Sequence, residues 1–138
     1  MGTVKLLTAA AKVKVHRFVY AASSSAYGDG SQTRDFTYVA NNVQANILAA
    51  TTNKPVAGKI INIACGKSFS LVELLKTINQ VLGKNVEPIF EPARKGDVKH
   101  SLADIALARE LLGYKVGVGF NEGIRRTVEW YMKNMSAN

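Results

Sequence analysis

The sequence predicts an α/β fold, a reduced and mostly parallel sheet of about three or four strands with flanking helices. Three observations predict it. Short β-branched and aromatic runs alternate with longer stretches of helical periodicity. Turn formers separate them: Ser23-Ser24-Ser25, Gly28-Asp29-Gly30, Pro55 to Gly58, Gly83 and Gly113. The 138 residues are 47% hydrophobic and 20% charged, which suits one domain with its own core rather than a disordered chain.

The elements follow in order. Residues 2–12 place Val4, Leu7 and Ala11 near helical spacing and predict a helix. Val15 to Ala22, rich in β-branched and aromatic residues, predicts a buried strand. Arg34 to Tyr38 can hold a short strand. Val39 to Thr52 carries Val43, Ala45, Ile47, Leu48 and Ala50 and predicts a helix that Pro55 and Gly58 end. Lys59 to Ala64 predicts a second apolar strand. Ser70 with Glu73 three residues on is a capping box for a helix over 71–82, whose stripe is Leu71, Leu74, Leu75, Ile78 and Leu82. Gly83 is its stop. Val86 to Phe90 predicts an edge strand, because Pro88 lacks a ladder donor. Helices over 104–112 and 121–133 close the chain, with Trp130 and Tyr131 at packing positions.

Composition narrows the function. Lys plus Arg number 18 against 10 Asp plus Glu, a formal charge of +8 that favours anionic partners. The charges are scattered, densest over Arg94 to His100, with no basic helix stripe, zinc-finger spacing or aromatic-basic motif, which argues against nucleic acid. No stretch is long and apolar enough to span a membrane. The single Cys65 sits in an apolar run and suits a reducing, cytoplasmic setting as a buried core residue. His16 and His100 stand apart with no partner at ligand spacing, so both read as surface residues and no metal is expected.

Several local runs converge on one family. Arg17-Phe18-Val19-Tyr20-Ala21-Ala22-Ser23-Ser24-Ser25-Ala26-Tyr27-Gly28-Asp29 resembles the strand and serine turn of extended short-chain dehydrogenases. Gly28-Asp29-Gly30-Ser31-Gln32-Thr33-Arg34-Asp35-Phe36-Thr37-Tyr38-Val39 resembles a later segment of the same enzymes. Gly58 to Gly66 with Ser70 to Leu75, Glu91 to Val98 with Ser101 to Asp104, and Leu111 to Tyr114 with Glu122 to Tyr131 follow in the family's order. Within it the chain is most similar to NAD-dependent nucleotide-sugar epimerases acting on UDP-N-acetylhexosamines. The resemblance implies a Rossmann-like sheet, NAD as cofactor and a UDP-sugar as ligand. It also implies that Arg34 and Arg94 contact the substrate diphosphate and that Asp97 accepts from a ribose hydroxyl. Arginine suits that role because its planar fork donates paired hydrogen bonds and keeps its proton. Of the serines, Ser23 and Ser24 are the better candidates for the family's catalytic hydroxyl.

Two family motifs are missing from these residues. There is no Gly-x-x-Gly-x-x-Gly to hold a cofactor pyrophosphate on a helix N-terminus. There is no Tyr-x-x-x-Lys, in which the ammonium lowers the phenol's pKa for proton transfer: the residues four after the tyrosines are Ser24, Ser31, Asn42, Val118 and Met135. Two family words, Tyr-Gly-Asp and Gly-Asp-Gly, coincide at Tyr27-Gly28-Asp29-Gly30. The expectation is a single domain over 1–138, with 1–29 a remnant of the dinucleotide-binding part, 30–138 a remnant of the substrate-binding part, and a lost segment between them. Such a chain is expected to be inactive alone and not to hold NAD. Its open sheet edges favour a homo-oligomer. The rival readings are a non-catalytic nucleotide-binding module and a basic interaction protein with a vestigial site.

Overall fold

A computed structural model describes residues 12–13, 29–92 and 98–135. The helix expected over 2–12 (apart from Lys12) and the strand expected over 15–22 lie outside these residues. Along the chain come β1 (Thr33–Arg34), α1 (Val39–Thr51), β2 (Phe69–Ser70), α2 (Leu71–Leu82), α3 (Ala106–Leu112) and α4 (Phe120–Met135). α2 packs on α4, and α1 on α3.

α2 forms as its sequence dictates. The Ser70 hydroxyl accepts from Glu73 N at 3.1 Å, and the Glu73 carboxylate accepts from Ser70 N at 2.7 Å. Each satisfies a donor that a helix start leaves open. The bonds from Ser70 also hold the Glu73 carboxyl below its ordinary pKa. Gly83 ends the helix at φ +61°, a left-handed conformation that suits glycine.

The core joins Ala45 of α1, Ala64, Ile105, then Ala108 and Leu112 of α3, and Tyr114. Tyr114 is fully enclosed, and its hydroxyl donates to Ala64 O at 3.0 Å, so its polar tip is satisfied. Burial, then the neighbouring Cys65 and Asp35, pushes its pKa up. Only some of the apolar residues of α1 turn inward. Asn41 and Ala45 are buried, with Leu48 and Ala49 beside them, while Val43 and Ile47 face out.

The sheet among the described residues is small. β1 pairs antiparallel with β2, Thr33 opposite Ser70 and Arg34 opposite Phe69. One parallel bridge joins Thr33 to His100. The strands expected over 59–64 and 86–90 form no ladder among the described residues. A strand exists only where a neighbour supplies its hydrogen bonds. Residues 59–64 run without one, Ile61 and Ile63 against the core and Ile60 outward. Val86 is held instead by a side chain: Asn79 Nδ2 donates to its carbonyl at 3.0 Å, and Asn79 Oδ1 accepts from its N–H at 3.1 Å.

Phe120, at the start of α4, stacks on Phe69 of β2 with centroids 4.0 Å apart and leans on Phe36 at 5.6 Å. This cluster, not the far end of α4, carries the aromatic packing. Trp130 and Tyr131, expected at packing positions, are exposed and meet each other edge-on at 5.2 Å. The outer face of α4 carries an ion network: Glu122 accepts from Arg125 at 2.7 Å and from Arg126 at 2.6 Å, and Arg125 reaches Glu129 at 2.5 Å. Arg125, then Arg126, holds the Glu122 carboxyl down from 4.5 to about 2. A depressed carboxyl contributes stability above its unfolded pKa and loses it as pH falls through the folded value. The window here is pH 4.5 down to about 2. Thermal melts across that window should fall more for the parent than for Glu122→Gln. Salt should shrink the difference, because the network is solvent-exposed.

Candidate functional site

Arg34 lies where three stretches of backbone meet. β2 holds one side of β1. On the other side Thr33 N donates to Lys99 O at 2.9 Å, and Ser101 N donates to Thr33 O at 3.0 Å. The Thr33 hydroxyl is 3.0 Å from His100 Nδ1. The Arg34 guanidinium Nη1 donates to Thr33 O at 2.9 Å and to Lys99 O at 3.3 Å. Thus the half-buried arginine is tied to the end of the basic run. His100, read as an isolated surface residue, is exposed and part of this seam. Of the candidate site residues, only Arg34 falls within the described residues. Ser23, Ser24, Arg94 and Asp97 lie outside them.

Two polar residues, Asp35 beside Arg34 in sequence and Asn41 on α1, escaped the sequence reading. Asp35 accepts from Cys65 N at 2.9 Å and from Gly66 N at 2.8 Å, one carboxylate oxygen to each. It pins the turn after residues 59–64 to the residue that follows β1. Asn41 is 1% exposed and fully used. Its Oδ1 accepts from Gly117 N at 3.1 Å and Val118 N at 3.0 Å, and its Nδ2 donates to Val118 O at 2.7 Å. The only sequence signal for either was a polar side chain beside an apolar pattern. Cys65 is buried, as expected, and burial followed by the Asp35 charge pushes its thiol pKa up, away from nucleophilic use.

The described residues hold no group of three or more His, Cys, Asp or Glu placed for a metal. No helix among them is long and apolar enough to cross a membrane.

Residues 25–127 match the model of the GDP-mannose 4,6 dehydratase family. The chain belongs to that family. A putative UDP-glucose 4-epimerase of Methanocaldococcus jannaschii is 41% identical over 108 residues, 78% of this chain and 33% of the relative. Among solved structures, the UDP-N-acetylglucosamine 4-epimerase of Methanobrevibacter ruminantium, in complex with UDP-N-acetylmuramic acid, is 39% identical with a TM-score of 0.70. It covers 79% of this chain and 34% of that one. The UDP-glucuronic acid 4-epimerase of Bacillus cereus, bound to UDP-glucuronic acid and NAD, is 30% identical with a TM-score of 0.73, covering 78% and 34%. The family member described here is therefore a reduced α/β protein with the fold of these Rossmann-fold relatives, and it spans about a third of the length of the relatives it matches.

The Bacillus cereus neighbour binds NAD. A dinucleotide pyrophosphate needs free backbone N–H groups at a strand-to-helix turn. The glycine cluster Gly113, Gly117 and Gly119 does not fit that need. It follows a helix, Gly113 N is bonded to Arg109 O, and Gly117 and Val118 give their N–H groups to Asn41.

Proposed function

We propose that this chain is a nucleotide-sugar 4-epimerase-like protein that engages the diphosphate of a UDP-sugar and does not catalyse epimerisation alone. Arg34 and Arg94 grip the phosphate oxygens, Asp97 accepts from a ribose hydroxyl, and the rest of 30–138 is the sugar-nucleotide side of the family's architecture. Ser23 and Ser24 are the remaining hydroxyls of its catalytic turn, in the 1–29 remnant of the cofactor side. The observation that carries the reading is the tie between Arg34 Nη1 and the carbonyl of Lys99, two residues after Asp97 in sequence. It supports a single site built from β1 and the basic run. A hydroxyl without a phenol–ammonium couple beside it has no activated base to pass its proton to.

Calorimetric titration of UDP-N-acetylglucosamine into the full chain tests this. Saturable binding is expected. Arg34→Ala should weaken it by about tenfold or more, since a charge-assisted hydrogen bond contributes roughly 1.5–3 kcal/mol. Arg34→Lys, which keeps the charge and loses the fork, should fall between the two. Circular dichroism confirms that each variant folds. Absence of binding to the parent chain would favour the second reading, a basic interaction protein. Its net charge of +8 is the observation in that reading's favour.

A further inference from the structure

His100 has one ring nitrogen engaged and one to spare. Its Nδ1 lies 3.0 Å from the Thr33 hydroxyl. Among the described residues that hydroxyl meets no other acceptor, so it donates to Nδ1, and the neutral ring carries its hydrogen on Nε2. Nε2 has no partner among the described residues, and the side chain is exposed. A donor N–H is thus presented to solvent from an anchored ring.

The anchor is firm. Thr33 pairs with Ser70 of β2 on one edge. On the other its N–H and carbonyl bond Lys99 O and Ser101 N, the two residues that flank His100. The Thr33 carbonyl also accepts from Arg34 Nη1 at 2.9 Å. The guanidinium of Arg34 and the imidazole of His100 are therefore each one hydrogen bond away from Thr33. The other charged groups at this seam are Lys99, Asp29 and Glu73. Asp29 accepts from Ser31 N and Oγ, and Glu73 from Ser70 N and Oγ, so neither carboxylate takes the Nε2 hydrogen. Donors brought together on one support suit a ligand whose adjacent oxygens only accept, which is what a diphosphate supplies.

We propose that His100 is a further phosphate-contacting residue, donating from Nε2 to an oxygen of the diphosphate that Arg34 engages. The inference rests on the nucleotide-sugar reading above. A protonated ring keeps the same N–H and adds a positive charge, which an anion favours. Binding therefore takes up a proton and tightens as pH falls from about 8 to about 5.

Calorimetric titration of UDP-N-acetylglucosamine and of UDP into the full chain and its His100 variants tests it. His100→Ala should weaken both ligands by about tenfold. His100→Asn keeps an acceptor for the Thr33 hydroxyl and reaches no further, so it should bind as weakly as His100→Ala. Thermal melts near the parent's show that its seam is intact. Lowering the pH should tighten UDP-N-acetylglucosamine binding by the parent and leave His100→Asn flat. Full binding by His100→Asn overturns the proposal and leaves the ring as a strut for Thr33. A loss confined to the sugar-bearing ligand overturns the phosphate contact. A parent that binds no better than His100→Ala overturns the inference alone, whereas a parent that binds neither ligand sinks the nucleotide-sugar reading and the inference with it.

Discussion

Asn41→Ala should be the most damaging single change in this chain, lowering stability by about 3–5 kcal/mol. The side chain touches no proposed ligand group, and its effect is structural. Truncation leaves the N–H groups of Gly117 and Val118 and the carbonyl of Val118 without the partners they have now. A buried polar group stripped of its partner costs roughly 1–3 kcal/mol. Three such losses, partly relieved by water entering the gap, place the change in the severe tail of point substitutions. The consequence is specific. The turn from 117 to 119 leads into α4, so the aromatic cluster of Phe36, Phe69 and Phe120 should loosen with it. Thermal melts should drop by roughly 10 °C or more for a domain of this size. Amide exchange should accelerate at Gly117 and Val118 before it does in α2. A loss under about 1 kcal/mol would show that the turn holds without Asn41.

Asp35→Ala is the second large effect, expected to cost about 1–3 kcal/mol. Each carboxylate oxygen accepts one backbone N–H, from Cys65 and from Gly66, and bonds to an ionised acceptor are the stronger kind. Asp35→Asn should recover part of the loss, because its amide keeps one acceptor and turns the other oxygen into a donor facing an N–H. The position also predicts an effect on ligand. Arg34 is its neighbour in sequence, so releasing the Gly66 turn should weaken UDP-sugar binding beyond the change in folding. Urea melts give the first quantity and calorimetry the second. Equal stability for Ala and parent would mean that water replaces the carboxylate.

The helices were legible in the sequence because their signals are local. Ser70, Glu73 and Gly83 bound α2 through bonds that span at most four residues. α3 and α4 lie within a residue or two of their expected limits. The strands were not legible in the same way. Lys59 to Ala64 has strand composition, but a ladder also needs a neighbour, and composition cannot supply one. Which face of α1 turns inward was not legible for a related reason. Val43 and Ile47 are apolar, yet Asn41 took the interior because a turn 76 residues away needed an acceptor. Arg34 was found through its motif, whereas Asp35, next to it, acts on backbone that no sequence pattern names.

Incubating the full chain with NAD and UDP-N-acetylglucosamine, and following the sugar C4 proton by NMR, tests most directly whether this family member works alone. Line broadening or shifts of the nucleotide sugar with no growth of its C4 epimer are predicted. Steady accumulation of the epimer, dependent on NAD and proportional to protein, would contradict the account.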